Sequence, residues 1–193
     1  MIRLCIATLL IALVIVAGCD RPETKSEKHS RVVEVTDLTD AKSIEDIGRE
    51  LKRIDDRNSS MAIMIEINSD GGLAWETLNL AATIRSLKSP IHTHTTTGAH
   101  SGAAILVAAG TPGHRTADPN SMFSFMGIQL AEEFPDDMER KLRLVIRNRL
   151  DTIFGADASS IETALNSNRV YDPDQAVGAG IIDVVRAVQR KQN

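Results

Sequence analysis

The stretch Gly98-Ala99-His100-Ser101-Gly102-Ala103-Ala104-Ile105-Leu106-Val107-Ala108-Ala109-Gly110 organises this chain. A small polar turn holds one serine, and a run of small apolar residues follows at once and closes on Gly110. The pattern predicts a buried helix with Ser101 at its N-terminus. Backbone N–H groups and the helix dipole then favour negative charge beside the serine, the setting an acyl-transfer nucleophile needs. The same residues also suit a plain serine N-cap on a core helix. On this stretch alone both readings stand.

Working outward, Ile91 to Thr97 alternates and is β-branched, which predicts a strand entering the serine turn. Met61 to Ile67 is a nearly continuous apolar run, suited to a strand buried on both faces of a parallel sheet. It ends in Asn68-Ser69-Asp70-Gly71-Gly72. Leu73 to Lys88 reads as a helix with Leu73, Leu80, Ile84 and Leu87 along one face, widened by Trp75 and Leu78 and stopped by Ser89-Pro90. Upstream lie a short strand at Arg31 to Val35 and an amphipathic helix from Thr39 to Asp55, carrying Ile44, Ile47, Leu51 and Ile54. Downstream, strands are expected at Arg115 to Ala117 and Ser121 to Ile128, set apart by the turn Asp118-Pro119-Asn120. Phe134-Pro135 opens a long helix over Asp136 to Phe154 with Met138, Leu142, Val145, Ile146, Leu150 and Ile153. Its apolar content serves either self-association or the monomer's own core. Helices at Ala158 to Asn166 and Asp174 to Gly180 and a strand at Ile181 to Val185 complete the pattern. Strands alternate with helices throughout, which makes the class α/β.

The chain of 193 residues is long enough for one domain with a real core, and its net charge of −4 supplies no electrostatic case for nucleic acid. Met1-Ile2-Arg3 is a short basic start, and Leu4 to Ala17 is an uncharged apolar run too short to span a bilayer comfortably. Residues 1–18 read as a secretory signal peptide. Its end, Val16-Ala17-Gly18-Cys19, resembles the lipobox of bacterial lipoproteins, which implies cleavage before Cys19 and lipid on its sulfur. Residues 19–30 are polar and charged and read as a lipidated tether to the membrane, with the domain over 31–190. Asp20 resembles the inner-membrane retention signal of enteric lipoproteins. Cys5 leaves with the leader, so the mature domain has no free thiol, disulfide or cysteine-based metal site. The expected location is the bacterial cell envelope, with the domain facing the periplasm or the exterior.

Ile67-Asn68-Ser69-Asp70-Gly71-Gly72, the run from Ser101 to Gly110, Pro119-Asn120-Ser121, and the ending Ala176-Val177-Gly178-Ala179-Gly180-Ile181-Ile182-Asp183 occur in one order. Together they resemble the proteolytic subunit of Clp protease, in the superfamily with the crotonase-like spiral of ββα units. The resemblance spans about Val32 to Val185. It implies that Ser101 matches the nucleophilic serine, that the Gly102 N–H is one oxyanion donor, and that Gly71 and Gly72 match the glycine pair supplying the other. A glycine allows the turn that aims an N–H at developing charge. The glycine pair equally suits a simple turn at a helix start. The resemblance further implies peptide or protein ligands, no cofactor, and a homo-oligomer paired through the 136–154 helix.

The triad itself departs from that pattern. The general-base histidine lies five residues after the serine of Pro-Asn-Ser, which here is Met126. The orienting aspartate lies eight residues before the alanine matching Ala176, which here is Asn168. A thioether cannot accept the serine proton at neutral pH, and an amide cannot stabilise an imidazolium that is absent. Other bases are poorly placed by sequence. His100 adjoins Ser101, so its side chain is expected to point away, and His114 sits in a turn. His92 and His94 share one strand face, where an exposed pair is the commoner outcome than a metal site. Asp172 has no imidazole to orient, and Lys141 lies in a solvated Glu139-Arg140-Lys141 run.

Three functions remain open: a serine peptidase with an unexpected base, a catalytically inactive peptide-binding or scaffold protein of the envelope, and a crotonase-type acyl-CoA enzyme. Export argues against the last, because coenzyme A is not expected outside the cytoplasm. It also argues against an ATP-driven unfoldase partner.

Overall fold

Alternation along the chain becomes alternation in space. In this computed structural model, which describes residues 31–125 and 136–186, β1 (Val32–Val35) leads through α1 (Ala41–Arg57) to β2 (Ile63–Ile67). The chain continues through α2 (Ala74–Ser86), β3 (Ile91–Thr95), β4 (Gly98–His100) and α3 (Gly102–Ala108). β5 (Arg115–Ala117), β6 (Met122–Ser124) and α4 (Asp136–Phe154) come next, then a 3-10 turn at Gly155–Asp157 and α5 (Ala158–Leu165). β7 (Val170–Tyr171), α6 (Pro173–Gly178) and β8 (Val184–Val185) close the described chain. Five strands form a parallel sheet in the order β1-β2-β3-β5-β8, and β4-β6-β7 form a second sheet. In β3-β4-α3 and again in β5-β6-α4, the first strand joins the large sheet and the second joins the small one. The fold is α/β, as the sequence pattern predicts.

The large sheet is apolar on one face because alternate residues point the same way. Val33, Val35, Ile63, Ile65, Ile67 and Ile91 are buried there with Ile44, Leu51 and Ile54 of α1 and Leu106 and Val107 of α3. β2 is not buried equally on its two faces: Met64 and Glu66 are only half-buried on the side away from this core. α1 starts at Asp40, whose carboxylate accepts from the Ser43 N–H at 2.8 Å, a cap worth about 1 kcal/mol.

Several expectations need correction. Trp75 is 46% exposed and does not widen the buried stripe of α2 as Leu78 does, and Leu73 is exposed rather than on the stripe, whose core side is Thr77, Leu78, Leu80, Ala81 and Ile84. On α4, Leu150, Ile153 and Phe154 are buried, whereas Leu144 and Val145 face outward. Met126 and the Met138 side chain lie outside the described residues, as do the signal peptide, Cys19, the tether and the end of the Ser121–Ile128 segment. The Ile91–Thr97 segment is not one strand. The Asn68 Oδ1 accepts from the backbone N–H groups and the hydroxyls of Thr96 and Thr97, at 2.9 to 3.1 Å, and turns the chain there. Beyond that turn, Gly98 to His100 form strand β4 rather than part of a loop.

Candidate active site

Ser69 continues the line of β2 past its end and pairs with Ala99 of β4. Its N–H donates to the Gly98 carbonyl at 3.1 Å, and its carbonyl accepts from the His100 N–H at 2.9 Å. On its other side β4 runs parallel to β6, and the Ser101 N–H donates to the Ser124 carbonyl at 2.6 Å. Held from both sides, the chain must leave β4 and enter α3 within one residue. That residue is Ser101, at φ 51° and ψ −119°, an uncommon conformation for a residue with a Cβ. Its hydroxyl makes no cap bond to α3, and no hydrogen bond engages it among the described residues. The N-cap alternative therefore fails on geometry. A strained, half-buried, unengaged serine at a sharp strand-to-helix turn is a strain reservoir of the kind found at functional sites.

The glycine pair abuts this turn. Gly71 has φ +95°, and a Cβ there would lie 2.8 Å from the His100 carbonyl oxygen, 3.0 Å from the Ser101 Cβ and 3.5 Å from the Gly102 nitrogen. At Gly72 a Cβ would collide with the Leu38 carbonyl, which accepts from the Leu73 N–H at 2.7 Å. Gly102 faces Thr77 of α2, whose Cγ2 would be 2.9 Å from an added Cβ. All three glycines are thus demanded by close approach. The two glycines considered for the second donor differ, however. The Gly71 N–H already donates to the Ser69 Oγ at 3.2 Å, while no hydrogen bond takes the N–H of Gly72 or of Gly102 among the described residues.

Strand directions bring the third position into the neighbourhood. β4 and β6 are parallel and β6 and β7 antiparallel, with Ser124 opposite Val170. The exits of β4 and β6 and the entry to β7 therefore share one end of the small sheet. Ser101 leaves β4 there, and Phe125 leaves β6 there. Asn168, exposed and at φ 53°, stands two residues before Val170. Asp172 is occupied elsewhere: it caps α6, accepting from the Gln175 N–H at 2.8 Å.

The other candidate bases are engaged in other ways. His100 turns from Ser101 and hydrogen-bonds the Ser124 Oγ through Nδ1 at 2.8 Å. Lys141 is exposed and pairs with Asp137 at 3.4 Å. His92 and His94 do share a face, yet neither is an open, exposed ligand. His94 is buried between the Thr116 hydroxyl (3.0 Å) and Asp118 (3.4 Å), and His92 stacks on His114 with centroids 4.2 Å apart. Among the described residues no group of three or more His, Cys, Asp or Glu side chains is placed to hold a metal ion. Sequence reasoning missed the roles of Asn68, Ser69 and Ser124. A lone Asn-Ser after an apolar run is the only trace of the first two.

A parallel sheet that delivers a positive-φ serine against a glycine turn defines a class, the α/β proteins with a serine elbow. Residues 24–189 match the family model described as Clp protease, and this chain belongs to that family. It is 29% identical over 172 residues to the ATP-dependent Clp protease proteolytic subunit 1 of Mycolicibacterium paratuberculosis, covering 81% of this chain and 79% of that one. The ATP-dependent Clp protease proteolytic subunit 2 of Mycobacterium leprae is also 29% identical over 172 residues, with 81% and 78% covered. The chloroplastic ATP-dependent Clp protease proteolytic subunit-related protein 2 of Arabidopsis thaliana is 29% identical over 148 residues, covering 72% of this chain and 53% of its own length.

Proposed function

We propose that this chain is an exported, lipid-anchored member of the Clp protease family that holds peptides at the Ser101 elbow. Its peptide-bond hydrolysis is lost or lowered by orders of magnitude. The observation that supports this most is the close approach of Gly71 to Ser101: the turn that presents the serine and the glycines that would face an oxyanion are kept at full cost in backbone strain. Gly102 and Gly72 are the donors in this reading, with Gly71 shaping the approach. By sequence position, Met126 and Asn168 match the family's proton acceptor and its orienting carboxylate, and neither residue type can do that chemistry. A Val-Ala-Gly-Cys leader ending supports the anchor at Cys19 on the envelope. The word "subunit" in the names of the bacterial relatives, with the outward Leu144 and Val145 of α4, supports a homo-oligomer. No cofactor enters the scheme.

Activity-based labelling tests the central point. A fluorophosphonate should modify Ser101 slowly or not at all while labelled peptides bind the folded chain. Rapid labelling at Ser101 would reveal a competent base and overturn the reading. Fatty-acid analogue labelling of cells should mark the wild type and not Cys19→Ser; equal marking would remove the anchor.

A further inference from the structure

A cavity of about 320 Å³ opens beside the elbow, where β1, β2 and β3 end and β4 begins. Thr36, Asn68, Asp70, Thr97 and His100 line it, and no aliphatic or aromatic hydrocarbon side chain does. Its size is at the lower end of pockets that hold small ligand groups. Its floor is built rather than incidental. The His100 ring is seated by the Ser124 hydroxyl at Nδ1, and its Nε2 lies over Gly98, where a Cβ would come within 2.8 Å. Only glycine at 98 leaves room for that ring. Asn68 is held by the Thr96 and Thr97 donors that turn the chain, which leaves its Oδ1 committed. The one carboxylate is Asp70. Among the described residues no hydrogen bond or ion pair engages it.

We propose that this cavity receives a cationic side chain, lysine or arginine, of a peptide lying across Ser101. This rests on the peptide-holding reading above and names the ligand class for the same site. Asp70 joins Ser69 to Gly71, so a group paired with its carboxylate is held next to the elbow. An apolar side chain would offer nothing to the Asp70 carboxylate and would strip water from a polar wall, which disfavours it. An acidic side chain would meet Asp70 as a like charge. A cation satisfies the carboxylate, and its remaining donors reach hydroxyl oxygens of the wall.

The test uses the full chain in detergent and three fluorescein-labelled alanine-based peptides that differ only at one central residue: lysine, leucine or glutamate. Fluorescence anisotropy should give the lysine peptide about two- to fivefold tighter binding than the leucine peptide at low salt, as befits an exposed carboxylate, with the advantage shrinking as salt screens it. Asp70→Asn should erase the preference, and Asp70→Lys should transfer it to the glutamate peptide. Asp70 is exposed, so both variants should melt like the wild type, which thermal unfolding checks. Equal binding of the three peptides, or a lysine preference that survives Asp70→Asn, overturns the cation pocket and leaves the peptide-holding reading intact. Failure of every peptide to bind removes both.

Discussion

Gly71 approaches Ser101, 30 residues away in sequence, so closely that a methyl group at 71 would sit 3.0 Å from the Ser101 Cβ. The approach couples the end of β2 to the start of α3, because Gly71 also lies under the His100 carbonyl. Two constraints meet there, a φ of +95° and a lack of space.

Gly71→Ala should therefore destabilise the fold by about 1–3 kcal/mol through strain alone, with more from displacement of the elbow. Gly178→Ala is the control, since an added Cβ there meets nothing within 4 Å and Gly178 ends a helix. Thermal unfolding of the two variants should separate them clearly. Equal melting temperatures would show that the elbow yields without strain.

Restoring the replaced groups tests the catalytic side of the proposal. Met126→His with Asn168→Asp should raise fluorophosphonate labelling at Ser101 by orders of magnitude, and each single change should do far less, because such groups act as a unit. Asn168 sits at φ 53°, a region that aspartate also tolerates, so the backbone accepts the second change. A folded double variant that stays inert would sink the idea that base and orienter are what the site lacks.

Arg115 and Asp183 join β5 to the segment entering β8 by two parallel hydrogen bonds, 2.9 and 2.6 Å. Asp183 also accepts from the backbone N–H groups of Gly113 and Arg115. Burial pushes its carboxyl up, but the hydrogen bonds from the Arg115 side chain and backbone and the guanidinium charge outweigh that and hold it below the usual carboxylate value. Asp183→Asn leaves a buried arginine partly unpaired and should cost about 3–5 kcal/mol by denaturant unfolding. A group held low in the folded state stabilises above its unfolded value and loses that contribution as pH falls through its folded one. The variant should accordingly flatten the acid limb of the stability curve below about pH 4. An unchanged limb would assign acid unfolding to other carboxylates. Asp55 is the first to test, since burial also raises it and bonds from Ser89 and Lys88 win.

A second pH window belongs to His92. Burial first, then the charges of His114 and Arg186, keep its imidazole below the ordinary value. The unfolded chain then takes up a proton that the folded chain refuses, so stability should be full above about pH 6.5 and decline as pH falls below it. His92→Phe preserves an aromatic ring against His114 and removes the titration. Its stability should vary less between neutral pH and about pH 5 than that of the wild type. Identical slopes would mean that the stack opens without penalty.

Much of the architecture was legible in residue order. Periodic apolar spacing marks which face of an element is buried, so Ile44, Leu51 and Ile54 announced α1, and the Met61–Ile67 run announced β2 inside the parallel sheet. The glycine pair and Ser101 stood out as chemistry, because glycine beside a strand end and serine before a small-residue helix are local signals. β4 is hidden because Gly98-Ala99-His100 carries no apolar or β-branched alternation and reads as part of the polar turn, and β7, at two residues, is too short to show a period. Trp75 was misplaced because one residue's spacing says which way it points and not whether anything covers it.

Other features needed the folded chain. That Ser101 adopts a positive φ results from hydrogen bonds to two neighbouring strands, one near Ser69 and one at Ser124, whose separation along the chain no local pattern encodes. The Asn68 clasp on Thr96 and Thr97, the seating of His100 over Gly98, and the burial of His94 between Thr116 and Asp118 have the same origin. Local sequence specifies dihedral preference and the direction of apolar faces. Close backbone approach and hydrogen-bond partnership are properties of strands meeting in space, and they made a polar turn into a serine elbow.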